Sequence, residues 1–326
     1  MTTWTPAGRK RPAGGPARRF AAPAVLALCG LSSACGSAWA QGDAEAGEAV
    51  FIAANCQSCH TDYANDGALL AGGRALKTPF GTFYSPNITP DPKTGIGNWS
   101  DEDFRRALIH GRAPDGARYY PVFPYTSYSG MTDQDVADLK AYIFSLPPVE
   151  KANRPHDLKW PFSWRWVMAP WQWLFFHPER FAPDPERDDL VNRGAYLVDT
   201  LGHCGECHTP RNRFGVLKDD MHLAGQEEGP EGGIVPNITP DPETGIGNWS
   251  DNDITWLLIT GFLPDGDNVQ GGMGEVVEHS TSRLTDTDRQ AIAAYLNSLP
   301  PIVHQVGPPR ETGDTDTGGG GDEFDY

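Results

Sequence analysis

The chain has 326 residues, with 26 Lys and Arg against 43 Asp and Glu and a formal charge of −17. Five of the bases (Arg9, Lys10, Arg11, Arg18, Arg19) fall in the first 40 positions, which hold no acid, so the remainder is more acidic still; it is a poor holder of DNA or RNA, because phosphate binding needs clustered Lys and Arg. With 37 Gly, 29 Pro and 39% apolar residues, long helical bundles and transporters are disfavoured, and a loop-rich fold of short helices over thin cores is expected.

Residues 1–40 read as a secretory signal peptide: a basic start, an uncharged Ala/Leu/Val stretch, and Ala38-Trp39-Ala40 as a small-x-small cleavage pattern. The mature chain is expected to begin at Gln41 and to be periplasmic. An uncleaved anchor is opposed by Pro23, Gly30 and four more Gly and Ser in the same stretch. Lipidation at Cys35 is the other alternative. No later run is apolar enough to span a bilayer.

Residues 45–55 read as a helix, with Gly47 and Phe51 one turn apart, running into Cys56-Gln57-Ser58-Cys59-His60. A Cys-x-x-Cys-His run is the attachment site of c-type haem. Two thiols one helical turn apart each add to one vinyl group of a porphyrin, and the adjacent His becomes the iron's proximal ligand. Residues 86–101 then run Pro-Asn-Ile-Thr-Pro-Asp-Pro-Lys-Thr-Gly-Ile-Gly-Asn-Trp-Ser-Asp, a segment dense in turn formers. Met131 precedes Thr132-Asp133-Gln134-Asp135, an acidic cap for a helix whose apolar stripe is Val136, Leu139, Tyr142, Ile143 and Leu146 and which stops at Pro147-Pro148.

Between Trp160 and Phe181 lie five of the ten Trp and four Phe, interrupted by Pro161, Pro170 and Pro178. This stretch is read as a linker packed over both halves, with an aromatic docking patch as the sharper alternative. Residues 192–200, with Gly194, Tyr196 and Leu197, form the second leading helix, and Cys204-Gly205-Glu206-Cys207-His208 is the second pentad. Residues 236–251 repeat residues 86–101 with one change, Glu243 for Lys93. Met273 lies in a Gly-rich stretch expected to be a loop. Thr285-Asp286-Thr287-Asp288 caps the last helix, which stops at Pro300-Pro301. The Gly-rich, acidic tail is expected to be disordered.

Two disulfides or one zinc site would also use four cysteines, but neither explains a His after each pair. Two pentads in a duplicated chain point to two covalently bound haem c groups with iron. The fold expected is mainly α: two tandem class-I-like cytochrome c domains, each with a first helix packed through Gly onto a last helix, and long Pro/Gly loops around the haem. The boundaries are 1–40 for the signal peptide, 41–150 for the first domain, 151–187 for the Trp-rich linker, 188–303 for the second domain and 304–326 for the tail.

Over residues 43–303 both halves resemble the cytochrome c domains of the haem-carrying subunit of membrane-bound alcohol and gluconate dehydrogenases. The resemblance rests on the pentads, the paired Asn-Ile-Thr-Pro-Asp…Thr-Gly-Ile-Gly-Asn-Trp segments, the run from Tyr120 through Pro121, Val122, Phe123 and Pro124 to Tyr125, and Val276-Val277-Glu278. Those subunits usually carry three haem sites; this chain has two. The resemblance implies Cys56, Cys59, Cys204 and Cys207 as attachment residues and His60 and His208 as proximal ligands. It implies a Met as sixth ligand: Met273 for the second iron and Met131 for the first. Met131 aligns with Leu284 counting back from the Ser-Leu-Pro-Pro marks, and relatives often have Met where this chain has Phe123. Met221 is read as packing, and the remaining seven His, His203 among them, as surface or loop residues. Asn87, Asn237, Trp99, Trp249 and Arg74 are candidates for contacts to a haem edge or propionate.

The function implied is an outer-sphere electron relay from a dehydrogenase donor to an oxidase or cytochrome acceptor, with membrane association only through a partner and no catalytic residue of its own. The alternatives are a two-haem peroxidase or small-substrate dehydrogenase with one open iron, and a haem-based sensor.

Overall fold

The two capped helices at the ends of each half set the architecture. In the computed structural model, which describes residues 41–229 and 232–308, Asp43 caps helix α1 (Ala44–Ala53) by accepting from the Glu45 and Ala46 amides at 2.8 and 3.4 Å. Thr132 caps α5 (Asp133–Ser145), its hydroxyl accepting from the Asp135 amide at 3.0 Å. The helices cross at Gly47, so tightly that a Cβ there would lie 1.9 Å from the Asp138 carbonyl oxygen. In the second half Asp188 caps α7 (Asp189–Ala195) and Thr285 caps α11 (Asp286–Ser298). That crossing is at Gly194, where a Cβ would meet the Ala291 carbonyl oxygen at 1.9 Å. The molecule is mainly α-helical, with one helix cluster from α1 to α5 and another from α7 to α11. The expected signal peptide, and the tail from residue 309 on, lie outside the described residues. Among the described residues no helix is long and apolar enough to cross a membrane.

The second leading helix starts three residues earlier than its periodicity suggests. It also widens after Ala195 into a π-helical stretch, Tyr196–Leu201, in which the Gly202 amide reaches back to Leu197 at 2.6 Å. That extra residue per turn brings Tyr196, Leu197, Val198 and Leu201 all into the core.

Each duplicated segment is a turn scaffold closed by its own side chains. The Asp91 carboxylate accepts from the Lys93 and Thr94 amides and the Thr94 hydroxyl at 2.7–3.0 Å. Asn87 accepts from the Thr89 amide and hydroxyl and donates to Thr94 and to the Val149 and Lys151 carbonyls. Asn237 repeats this with Thr239, Thr244 and the Ile302 carbonyl. Both Asn side chains are buried and committed to tying each domain's exit strand to the loop, which corrects the expectation that they reach a haem edge. Ser100 and Ser250 then open α3 (Asp101–His110) and α9 (Asp251–Thr260) with capping boxes to Asp103 and Asp253, and Gly111 and Gly261 close them at positive φ, 59° and 78°.

Hydrogen bonds from Thr94 and the loop amides hold the Asp91 carboxyl below the usual carboxylate range, and Thr244 does the same for Asp241. A depressed carboxyl stabilises the fold above its unfolded-state value and loses that contribution as pH falls through the folded-state value. Thr94→Val should therefore unfold more readily than wild type above about pH 4. The ionisation-linked part of the difference should shrink as acid protonates both proteins. Urea unfolding followed by circular dichroism across that range checks it; a gap that widens in acid contradicts it.

A small antiparallel sheet that no sequence pattern announces lies in the first half: β1 (Ala75–Thr78), β2 (Gly81–Tyr84) and β3 (Asp157–Leu158), in the order β1-β2-β3, with Leu76 opposite Phe83 and Thr82 opposite Asp157. Among the described residues a single bridge, Gln226 to Val235, stands in the corresponding place of the second half. The aromatic segment that follows β3 carries α6 (Met168–Phe175). It packs on both halves: Gln172 donates to the Gly111 carbonyl at 3.2 Å, Phe176 meets Tyr125 edge-on at 4.8 Å, and the Trp171 indole donates to the Phe214 carbonyl at 2.9 Å. Trp160, Trp166 and Trp173 remain largely exposed, at 74%, 66% and 78%.

Candidate functional site

Each pentad forms a short helix directly after the leading helix of its half: α2 (Cys56–His60), and α8 (Gly205–His208) with Cys204 at its cap. The residue before the first cysteine turns the chain sharply in both cases. Asn55 has φ 49° and His203 φ 40°, left-handed conformations that Asn and His tolerate better than most residues. The helical spacing puts the two sulfurs of a pair on one side of the turn. Cys59 and Cys207 are exposed and Cys56 and Cys204 half-buried, and none of the four is in a disulfide. Burial pushes the Cys56 and Cys204 thiols up to about 12, helped by the neighbouring Cys59 in one case and by Asp199 in the other.

The two histidines are oriented identically. His60 Nδ1 lies 2.8 Å from the Pro86 carbonyl oxygen, and His208 Nδ1 lies 2.8 Å from that of Pro236. A carbonyl only accepts, so Nδ1 carries the proton and Nε2 keeps its lone pair for a metal. Burial also lowers the pKa of both rings, keeping the imidazoles neutral at neutral pH. The prolines that open the duplicated segments are thus the outer partners of the histidines. Sequence reasoning marked those prolines only as turn formers; the signal was their nearly constant spacing, 26 and 28 residues after the two histidines. Two thiols, one neutral imidazole and an orienting carbonyl per half are the donor set that fits a thioether-linked haem.

The two candidate thioethers sit in different places. Met273 is half-buried in the first turn of α10 (Gly271–His279) and packs against the core. The expected loop there is a helix, with Val277 buried and Met273 against the core, although each glycine costs a helix about 1 kcal/mol. Met131 is wholly enclosed, immediately before the Thr132 cap. The hydrogen-bond frame of the two halves matches at a constant offset: the Tyr119 amide bonds the Gly111 carbonyl as the Val269 amide bonds that of Gly261. On that register Phe123 occupies the position of Met273, and the caps pair Met131 with Leu284. At these two aligned positions each half therefore has one Met, Met131 in the first and Met273 in the second.

Both pentads also reach across to the other half. Gln57 donates to the His279 carbonyl of α10 at 3.1 Å. Glu206 accepts from the Thr126 hydroxyl of α4 (Tyr125–Tyr128) at 2.8 Å and is ion-paired with Arg211. Arg74 bonds the Ser58 carbonyl inside the first pentad at 2.6 Å and pairs with Glu275 of α10, so its side chain bridges the two halves. Tyr63 stacks on His279 at 4.4 Å, and His203 meets Tyr128 edge-on at 5.5 Å. These cross-contacts join residues far apart in the chain, and nothing local in the sequence announces them.

A cytochrome c family model matches residues 44–147. A "Diheme cytochrome c-type" protein of Cereibacter sphaeroides is 48% identical over 270 residues, covering 80% of this chain and 87% of that protein. The cytochrome c subunit of a quinone alcohol dehydrogenase from Gluconacetobacter polyoxogenes is 42% identical over 261 residues, 78% of this chain and 55% of the subunit. The fructose dehydrogenase cytochrome subunit of Gluconobacter japonicus is 43% identical over 256 residues, 78% of this chain and 52% of the subunit. The chain spans about half the length of these two dehydrogenase subunits. It belongs to the dihaem c-type cytochromes, with two covalently bound haem c groups as its cofactors.

Proposed function

We propose that this chain is a periplasmic electron relay. Cys56 and Cys59 anchor one haem and Cys204 and Cys207 the other, with His60 and His208 as the proximal ligands. The observation that carries this reading is the pair of His-to-Pro-carbonyl bonds, which leave both Nε2 atoms as acceptors for iron. Each haem would supply one-electron ferric/ferrous chemistry. The residues around it hold ligand, burial and approach geometry, and no side chain makes or breaks a bond to a substrate. The division into class-I-like domains at 41–150 and 188–303, joined by the 151–187 segment, belongs to this reading, as does export by the signal peptide of residues 1–40.

The donor we propose is a dehydrogenase and the acceptor an oxidase or another cytochrome, because the relatives named as subunits of alcohol and fructose dehydrogenases share both halves of this chain. The excess of acid over base suits a basic redox partner, steered over distances that salt screens.

For the sixth ligands we propose Met273, which lies between α9 and α11, and Met131, which lies between α3 and α5. Met273→Ala should convert the second haem from low-spin to a carbon-monoxide-binding form and leave the first unchanged. Met131→Ala should do the same to the first haem alone. Spectra of the oxidised and reduced protein, with and without carbon monoxide, decide it. Two closed irons in the wild type support a relay. Prompt ligand binding at one iron, with turnover of peroxide, would favour the enzyme reading, which draws its support from Phe123 standing where the second half has Met273.

A further inference from the structure

The two halves of this chain have parted in charge. Between Lys218 and Arg283 the sequence has thirteen Asp and Glu and no Lys or Arg, whereas the equivalent residues 70–130 of the first half hold seven bases and five acids. The caps at Ser100 and Ser250 and the closing glycines Gly111 and Gly261 fix the register of α3 on α9. On it Trp256 replaces Arg106, Ile259 matches Ile109, and Phe262 replaces Arg112. Trp256 and Ile259 share one face of α9 and Phe262 follows its closing glycine; the three are 56%, 39% and 50% exposed. In the first half Ile109 is buried, and α6 of the aromatic segment covers the same end of α3, Gln172 donating to the Gly111 carbonyl at 3.2 Å. Acids border the open face. Asp253 lies one turn before Trp256, where the equivalent Asp103 is paired with Arg106 at 2.7 Å, and exposed Asp265 and Asp267 lie in the hairpin after Phe262. That hairpin closes with the Val269 amide on the Gly261 carbonyl at 2.8 Å and leads into Met273 in the first turn of α10.

We propose that this face is where a basic, soluble electron carrier docks on the second half, through a surface with an apolar centre ringed by lysines. The inference rests on the relay proposed above and names the partner of its second haem. An apolar centre inside a polar rim is the anatomy of a specific protein interface, and a rim of one sign steers a partner of the other. A second copy meeting this face with its own would set acid against acid, and an anionic lipid surface would be repelled in the same way. In the direction of the relay, the ferrous second haem is oxidised to ferric and the oxidised centre of the carrier is reduced by one electron; no bond forms or breaks and no proton moves.

The test is rapid mixing of the fully reduced, full-length holoprotein with a ferric, lysine-rich cytochrome c, with haem content and spectra measured alongside. The wild-type second-order rate should fall as salt rises. Trp256→Arg with Phe262→Arg, which restores the first-half residues, should keep both haems and lower the low-salt rate about tenfold or more. Asp265→Asn with Asp267→Asn keeps the acceptors of the turn, which hold the Asp267 and Asn268 amides; it should lower the rate severalfold and flatten its dependence on salt. Asp115→Asn, the same change at the first-half counterpart of Asp265, should stay close to wild type. Should the Arg pair fail to mature, the Asn pair decides alone. An unchanged rate in either double variant with both haems present, or an equal loss in Asp115→Asn, would overturn the docking face. So would a wild type that dimerises or binds anionic vesicles through Trp256 and Phe262, or one that transfers nothing to the carrier. A wild type carrying fewer than two haems would instead overturn the relay on which the face rests.

Discussion

Replacing Cys56 and Cys59 together by Ala should yield a mature protein with one haem, half the wild-type haem absorbance, and a first half that no longer melts cooperatively. The sequence explains why the loss goes beyond colour. The chain is only 39% apolar, and the loops between the pentads and the closing helices are dense in turn formers, with Leu70, Ile96, Leu223 and Ile246 as buried apolar anchors. A porphyrin supplies the apolar body such loops wrap. The Gln57 contact to α10 and the Arg74 bridge to Glu275 both depend on the first pentad helix, so the interface should loosen too. The second half, with its own capped crossing and its own His208–Pro236 bond, should keep its haem. Intact mass and thermal unfolding at the haem and far-ultraviolet bands read both parts. Retention of both haems in this variant contradicts the placement.

Gly47→Ala and Gly194→Ala should each destabilise the protein by about 2–3 kcal/mol, the upper part of the range for overpacking. The sign is informative, because the same change inside an ordinary helix stabilises by about 1 kcal/mol. Here the new methyl would sit 1.9 Å from a backbone carbonyl oxygen of the facing helix, of Asp138 or of Ala291. Backbone cannot rotate away as a side chain can, so the helices must part. Gly274 is the control. It also lies in a helix, α10, but the nearest atom to an added Cβ is 3.7 Å away, so Gly274→Ala should be neutral or stabilising. Urea midpoints of the three variants test it, and a stabilised Gly47→Ala would mean that the crossing is looser than described.

Much of this frame was legible in the sequence because it is written in local signals. Thr132 and Asp135, and Thr285 and Asp288, announced the closing helices through the chemistry of caps. Gly47 and Gly194 marked the crossings, and the pentads stood in plain view. What was not legible depends on residues distant in the chain. The sheet of β1, β2 and β3 is too short for alternation to register, and its third strand lies over 70 residues beyond the second. The helix around Met273 begins with glycines that local propensity rejects and tertiary packing retains. Asn87 and Asn237 looked like ligand contacts because they recur with the haem motif, yet they recur for a structural reason: each spends its amide on the turn and on the exit strand. His203 looked like one scattered histidine among seven, and only the fold shows that its ring lies edge-on against Tyr128 of the other half.

Both pentads should hold thioether-linked porphyrin, with His60 and His208 as ligands to the irons. Mass spectrometry of the intact holoprotein, before and after acid–acetone extraction, tests it most directly. The expected result is a polypeptide heavier by two haems, unchanged by extraction, and one haem lighter for each pentad stripped of its cysteines. A polypeptide of unmodified mass after normal export and maturation would contradict it.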